Sequence, residues 1–167
     1  AALTCLMMTA GMLWAADVGQ NGPIAWQQGF EKGLAGAKTY FHGKGEVQSK
    51  LEIATEGAAE GKSFARVTLA GQRTLEGFSI VATGLRGGQK ITVQAKVRGK
   101  GQIMLALNSG KWAYSKPLTL TDQWQTLSLS QATPEKARSM GLYFISPQKV
   151  QKGAVFEVDD IRAAESP

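Results

Sequence analysis

Three observations predict an all-β protein, a jelly-roll β-sandwich of two antiparallel sheets. Apolar and polar residues alternate with period two along much of the chain, the mark of half-buried strands. Glycine, present 20 times in 167 residues, cuts the chain into short segments suited to tight turns. No stretch keeps the 3.6-residue periodicity of an amphipathic helix for three turns. One chain of this length can bury a single well-filled core.

The alternation is clearest over residues 88–107, GQKITVQAKVRGKGQIMLAL. Ile91, Val93, Ala95 and Val97 alternate with Thr92, Gln94, Lys96 and Arg98. Gly99-Lys100-Gly101 interrupts the run, and Ile103, Leu105 and Leu107 resume it. The simplest reading is an antiparallel hairpin whose apolar face needs a second sheet to exclude water. Before it, Ile24, Trp26 and Phe30 begin a first strand with Gly29 as a candidate bulge. Residues 34–41, 47–54, 63–70 and 78–85 read as further strands between glycine-rich turns. After it come 112–120, with Pro117 marking an edge or bulge, then 124–130, 140–146 and 154–163. Residues 132–138 are the one candidate helical turn, with Thr133 as cap and Pro134 at the first helical position.

Residues 1–16, AALTCLMMTAGMLWAA, carry no charge and resemble the apolar core of a secretory signal peptide. The run falls short of the ~20 residues a membrane span needs. The expected organisation is therefore a signal remnant over 1–16, a linker over 17–23 and a sandwich over 24–164, in a secreted or periplasmic protein. Cys5, the sole cysteine, lies in the segment expected to be removed, so the mature domain relies on its core without disulfides. The net charge of +6 comes from basic residues scattered from Lys32 to Arg162. Without a dense basic block this reads as a solvated surface, not a nucleic-acid or membrane site.

The inventory gives catalysis little support. His42 is the only histidine, so a two-histidine metal site is excluded, and a mature cysteine nucleophile is absent. Carboxylates are present, but nothing marks a pair facing each other across a groove. The glycine-rich turns lead into strands, which removes phosphate-cradling loops at helix starts. The stripe Gln94, Lys96, Arg98 fits a solvated outer face better than a binding groove.

Several short motifs occur in a recognisable order. They are Gly29-Phe30-Glu31-Lys32-Gly33, Glu60-Gly61-Lys62-Ser63 leading to Arg66-Val67-Thr68, Thr83-Gly84-Leu85 with Gly88, and Lys96-Val97-Arg98-Gly99 closing 93–99. TLTDQWQ over 119–125 and Phe156-Glu157-Val158-Asp159-Asp160-Ile161 complete the set. Together they resemble the family 4/9/22-like carbohydrate-binding modules, across about residues 24–163. The resemblance implies a jelly roll that binds polysaccharide or oligosaccharide without cleaving it, often beside a companion glycoside hydrolase. The runner-up is a structural or protein-interaction sandwich that has lost its sugar site.

In such modules aromatic rings stack on sugars and polar side chains orient them. The ligand-facing candidates here are Arg73, Glu76, Phe78, Trp112, Tyr114 and Tyr143. In some relatives a tryptophan follows an Arg-Thr pair. Here Leu75 stands there after Arg73-Thr74, with Phe78 as the candidate substitute. Tyr143 alternates with Leu142 and Phe144 and so points outward if those two face the core. The resemblance puts Trp124 in the core, although parity groups it with Thr126 and Ser128; Trp26 is read as core too. Alternation puts Asp160 on the face of Phe156 and Val158, an inward acid that needs a partner. The resemblance implies that Glu31 and Asp160 help hold a structural calcium ion, with backbone carbonyls near 57–62 completing the shell.

Overall fold

The computed structural model describes residues 22–46 and 48–166. The segment expected to be a signal peptide, with Cys5, lies outside them. The strands are β1 (Ile24–Gln28), β2 (Lys38–Tyr40), β3 (Lys50–Ala54), β4 (Phe64–Thr68), β5 (Gly77–Thr83) and β6 (Lys90–Gly99). They continue with β7 (Gln102–Asn108), β8 (Trp112–Tyr114), β9 (Leu118–Thr119), β10 (Gln125–Ala132), β11 (Ser139–Ile145) and β12 (Val155–Ser166). No helix occurs among the described residues. The candidate turn of helix at 132–138 is instead a tight turn, closed by Ala137 N–H to the Pro134 carbonyl (2.9 Å). Thr133 does not cap it: its hydroxyl donates to the Gln89 carbonyl (2.8 Å), tying this turn to the start of β6.

Two antiparallel sheets stack face to face, the arrangement that lets each hide its apolar side. The first runs β10-β6-β12-β4-β3, and β1 pairs the far half of β12. The second runs β2-β5-β11-β7-β8, with β9 on β7.

The segment read as a hairpin is not one. β6 belongs to the first sheet and β7 to the second, so Gly99-Lys100-Gly101 is an arch between layers. Its backbone bonds go elsewhere: Gly99 N–H to the Thr121 carbonyl (2.7 Å), and Lys100 N–H to the Val155 carbonyl (3.2 Å). Gly99, at φ 138°, is in a conformation that suits glycine, and a Cβ there would lie 2.5 Å from the Val155 carbonyl oxygen. The apolar sides of β6 and β7 therefore face one another across the core. Ile91, Val93, Val97, Ile103, Leu105 and Leu107 are all fully buried. The second half of the core comes from Phe78, Ile80, Leu142 and Phe144 of the second sheet against Ala65, Val67, Phe156 and Val158 of the first.

β12 changes parity midway. Its register with β6 shifts between Asp159 and Arg162, and Asp160 sits at φ 44°. Phe156 and Val158 point inward before this bulge, Ile161 and Ala163 after it. Asp160 is thereby carried out of the core-facing series.

A charged face and an aromatic face

The outer side of the first sheet is sealed by charge. Phe64 is completely buried although it lies on that outer side, opposite in parity to Ala65 and Val67. Arg66 and Arg98 lie over its ring, at 5.5 and 5.2 Å from the centroid. Trp124 meets Phe64 edge-on at 5.6 Å, carries the Arg98 guanidinium at 4.4 Å, and donates its indole N–H to the Gly57 carbonyl (3.0 Å). Glu157 accepts from Arg66 Nε (2.8 Å) and from Arg98 Nε, pinning both guanidinium groups. Trp124 is thus not a core residue: it packs half-buried on the outside, as its parity with Thr126 indicates. Lys96 bonds Thr126 Oγ1 on the same face (3.0 Å).

The outer side of the second sheet is different. Tyr143 (β11) faces outward between the fully buried Leu142 and Phe144. Trp112 packs on it at 4.8 Å between centroids, and Tyr114 stacks on Trp112 at 5.9 Å and 12°. On the other flank Tyr40 meets Tyr143 edge-on at 4.8 Å. Trp112 is 45% and Tyr114 52% exposed, and among the described residues no cation lies over either ring. The register arranges this face in rows across the strands. One row is Lys38, Ser79, Tyr143, Ala106 and Tyr114; the next is Val81, Gly141, Asn108 and Trp112. Gly141 leaves room for this: a Cβ there would lie 2.8 Å from the Tyr143 ring, so glycine lets that ring lie over the sheet. Burial beneath its neighbours, with Tyr143 and Tyr114 close by, holds the Tyr40 phenol above its ordinary value. It stays a neutral hydroxyl at physiological pH, able to donate and accept hydrogen bonds.

The structure thus brings together three of the six candidates, Trp112, Tyr114 and Tyr143, and adds Tyr40. Tyr40 is legible in sequence only as a ring that alternates with Lys38 before a glycine-rich turn. Two candidates are corrected. Phe78 is fully buried and stacks on Phe144 at 5.1 Å, because its parity points to the other sheet. Glu76 is also fully buried. It accepts the backbone N–H groups of Gly71 (3.0 Å), Gln72 (2.6 Å) and Arg73, and the Ser49 hydroxyl (3.1 Å). Those donors satisfy a carboxylate that could not otherwise be buried, and they fix the 71–76 loop, in which Leu75 takes φ 55°. Arg73 is exposed and donates to the Lys44 carbonyl (3.1 Å). It stands at the Tyr40 end of the aromatic face, because Tyr40 pairs with Gly77, the residue after this loop.

The two acids assigned to calcium grip backbone N–H and guanidinium groups instead. Glu31 Oε1 accepts from Lys62 N–H (2.7 Å) and Ser63 N–H (2.9 Å). Asp160 Oδ1 accepts from Gln27 Nε2 (3.1 Å) and Arg162 Nε (2.7 Å), and Arg162 also reaches Glu60 Oε2 (2.8 Å). Neighbouring Asp159 takes the N–H groups of Ala59 (2.9 Å) and Glu60 (3.0 Å). Burial still holds the Asp159 carboxyl above its ordinary value against those bonds. Calcium needs a shell of oxygens. Here the 59–63 stretch turns N–H groups toward the acids, and the Gly57 and Glu56 carbonyls already accept from Trp124 and Arg98. Among the described residues no group of three or more acids, histidines or cysteines is placed to hold a metal. The donor set does not fit the ion.

A cleft of about 710 Å³ lies beside the arch, lined by Arg98, Lys100, Asp122, Lys152 and Glu157 among others, with no aromatic side chain. No helix among the described residues is long and apolar enough to cross a membrane.

No protein-family model and no curated protein matches the chain. Solved structures do. The CBM22-1 xylan-binding domain of Paenibacillus barcinonensis Xyn10C superposes with a TM-score of 0.66 at 17% identity, covering 87% of this chain and 96% of that one. The CBM22-1–GH10 modules of Clostridium thermocellum endo-1,4-β-D-xylanase 10B, solved with xylohexaose, give 0.68 at 15% identity. That match covers 87% of this chain and 29% of that longer one. A CBM4 structure gives 0.54 at 18% identity, over 77% of this chain and 86% of that one. The fold is the jelly-roll β-sandwich of the family 4/9/22-like carbohydrate-binding modules.

Proposed function

We propose that this chain binds a polysaccharide on the aromatic face of its second sheet and does not cleave it. One observation carries the reading: four rings, Tyr40, Tyr143, Trp112 and Tyr114, form a continuous platform with no guanidinium lid among the described residues. Rings supply large contact area at low conformational cost, and they fit the apolar faces of sugar rings. Ser79, Asn108 and the tyrosine hydroxyls provide the polar groups that orient a ligand. The row from Lys38 to Tyr114 crosses five strands, about 19 Å at about 4.8 Å per step, a length suited to an oligosaccharide segment. The xylan-binding domains among the structural neighbours support the same class of ligand. No strand of this sheet contains an aspartate or glutamate, so the face lacks the facing carboxylates of a glycosidase. The signal-like residues 1–16 and the catalytic module attached to the Clostridium neighbour support a secreted module that accompanies a glycoside hydrolase.

Titration against a panel of soluble polysaccharides, including xylan, tests the reading. The wild-type protein is expected to bind at least one, and the double variant Trp112→Ala, Tyr143→Ala to bind none. Equal binding by both proteins would remove the aromatic face as the site.

A further inference from the structure

Acidic and basic residues are divided unequally between the two sheets. In the first, Glu52, Glu157, Asp159, Asp160 and Glu165 all lie on strands, and Lys50, Arg66, Arg98 and Arg162 each pair with one of them. The strands of the second sheet carry no acid at all. They carry one base, Lys38, which shares the outward side of β2 with Tyr40 and begins the row that runs through Tyr143 to Tyr114.

Two further cations rim the same platform. Ser115 N–H bonds the Leu105 carbonyl (2.8 Å), which extends the β7–β8 register one residue past β8. Lys116 therefore follows Tyr114 on the outward side, opposite Met104. Arg73 stands at the Tyr40 end, held by the Lys44 carbonyl. Among the described residues no ion pair uses Lys38, Arg73 or Lys116. Glu76, three residues from Arg73, is enclosed by its four donors.

Resting on the platform reading above, we infer that the aromatic face selects an acidic glycan, one whose sugars carry carboxylates, over its neutral counterpart. The ionic groups around the rings are all cations, and Ser79, the Asn108 amide and the tyrosine hydroxyls can donate beside them. They match a ligand rich in acceptors. A neutral sugar offers no anion, so it leaves these cations without an ionic partner. Unpaired cations spaced around a partly desolvated apolar surface attract a carboxylate more strongly than scattered surface charge does. The separation also makes chemical sense: an acid on this face would repel the ligand, and every acid that lies on a described strand belongs to the opposite sheet.

The test compares one polymer in two charge states, a glucuronic acid-substituted xylan and the same xylan after carboxyl reduction. At about 0.01 M salt, where charges act over about 30 Å, the acidic form is expected to bind about tenfold more tightly. At about 1 M salt, where that reach shrinks to about 3 Å, the difference is expected to vanish. Lys38→Gln with Lys116→Gln is expected to bring the two affinities together at low salt. Equal affinities in the wild-type protein at low salt would overturn the inference and leave the platform reading standing. Binding of neither polymer would overturn the inference, and the polysaccharide panel decides the platform reading. Acid preference that survives Trp112→Ala, Tyr143→Ala would assign it to the overall positive charge and overturn the inference together with the aromatic site.

Discussion

The two outward faces of this sandwich use the same ingredients, large rings on an antiparallel sheet, to opposite ends. On the first sheet Phe64 and Trp124 are roofed by Arg66 and Arg98, which Glu157 holds in place. Each guanidinium is spent twice, on a ring and on a carboxylate, so the rings there leave a ligand little open surface. On the second sheet Tyr40, Tyr143, Trp112 and Tyr114 pack ring on ring, and among the described residues no guanidinium group lies over them. Their outer surfaces stay in water, an arrangement that adds little to folding and suits a platform for something else. The difference lies in whether an acid is present on the neighbouring strand to fix a cation over the ring.

That contrast can be broken from either side. The largest effect on stability is expected from Phe64→Ala. Removing this fully buried ring from beneath two guanidinium groups should cost about 3–5 kcal/mol in chemical denaturation. Binding to any glycan should be unchanged while the protein stays folded. Trp112→Ala is expected to do the reverse. Stability should change by less than about 1 kcal/mol, because nearly half of the side chain already faces water. Affinity should fall by about 2 kcal/mol, or about 30-fold, the scale of an aromatic anchor at a contact centre. If the two substitutions cost the same in stability, the distinction between the faces fails.

Gly141→Ala probes the platform more gently. The added methyl would press on the Tyr143 ring, which can tilt, so affinity should fall by about 0.5–1.5 kcal/mol with folding cooperativity intact. Unchanged affinity would mean that the ring's lie over the sheet is immaterial to binding. The smallest effect concerns metal. Since backbone N–H groups and Arg162 already satisfy Glu31, Asp159 and Asp160, the thermal midpoint should be the same after chelation and in excess calcium. A drop on chelation would contradict that assignment.

Alternation made the core and the faces readable in advance. Leu142 and Phe144 inward with Tyr143 outward follows directly from period two, and so does the pairing of Trp112 with Tyr114 on one side. Parity also placed Trp124 outside correctly, where the family resemblance pointed inward. What alternation does not specify is which strand becomes the neighbour. The runs on either side of Gly99-Lys100-Gly101 look the same whether they pair as a hairpin or arch between sheets. Only the Thr121 and Val155 carbonyls that receive the turn's N–H groups distinguish the two, and both are distant in sequence. Parity also fails at a bulge. Asp160 shares the numerical face of Phe156 and Val158, but the shift before Arg162 carries it toward Gln27 and away from the core. Phe78 was misplaced for a different reason: its candidacy came from position relative to Arg73-Thr74, while its alternation with Ser79 and its neighbour Ile80 set it in the core. Tyr40 was overlooked because a three-residue edge strand gives too short a pattern to assign a face.

Mapping amide shifts of the labelled protein as a xylan oligosaccharide is added addresses the binding platform most directly. Binding on the aromatic face predicts shifts concentrated on β2, β11 and β8, at Tyr40, Gly141, Tyr143, Trp112 and Tyr114, with Arg98 and Trp124 still. Shifts confined to the Arg98–Trp124 face, or spread evenly over both sheets, would contradict it.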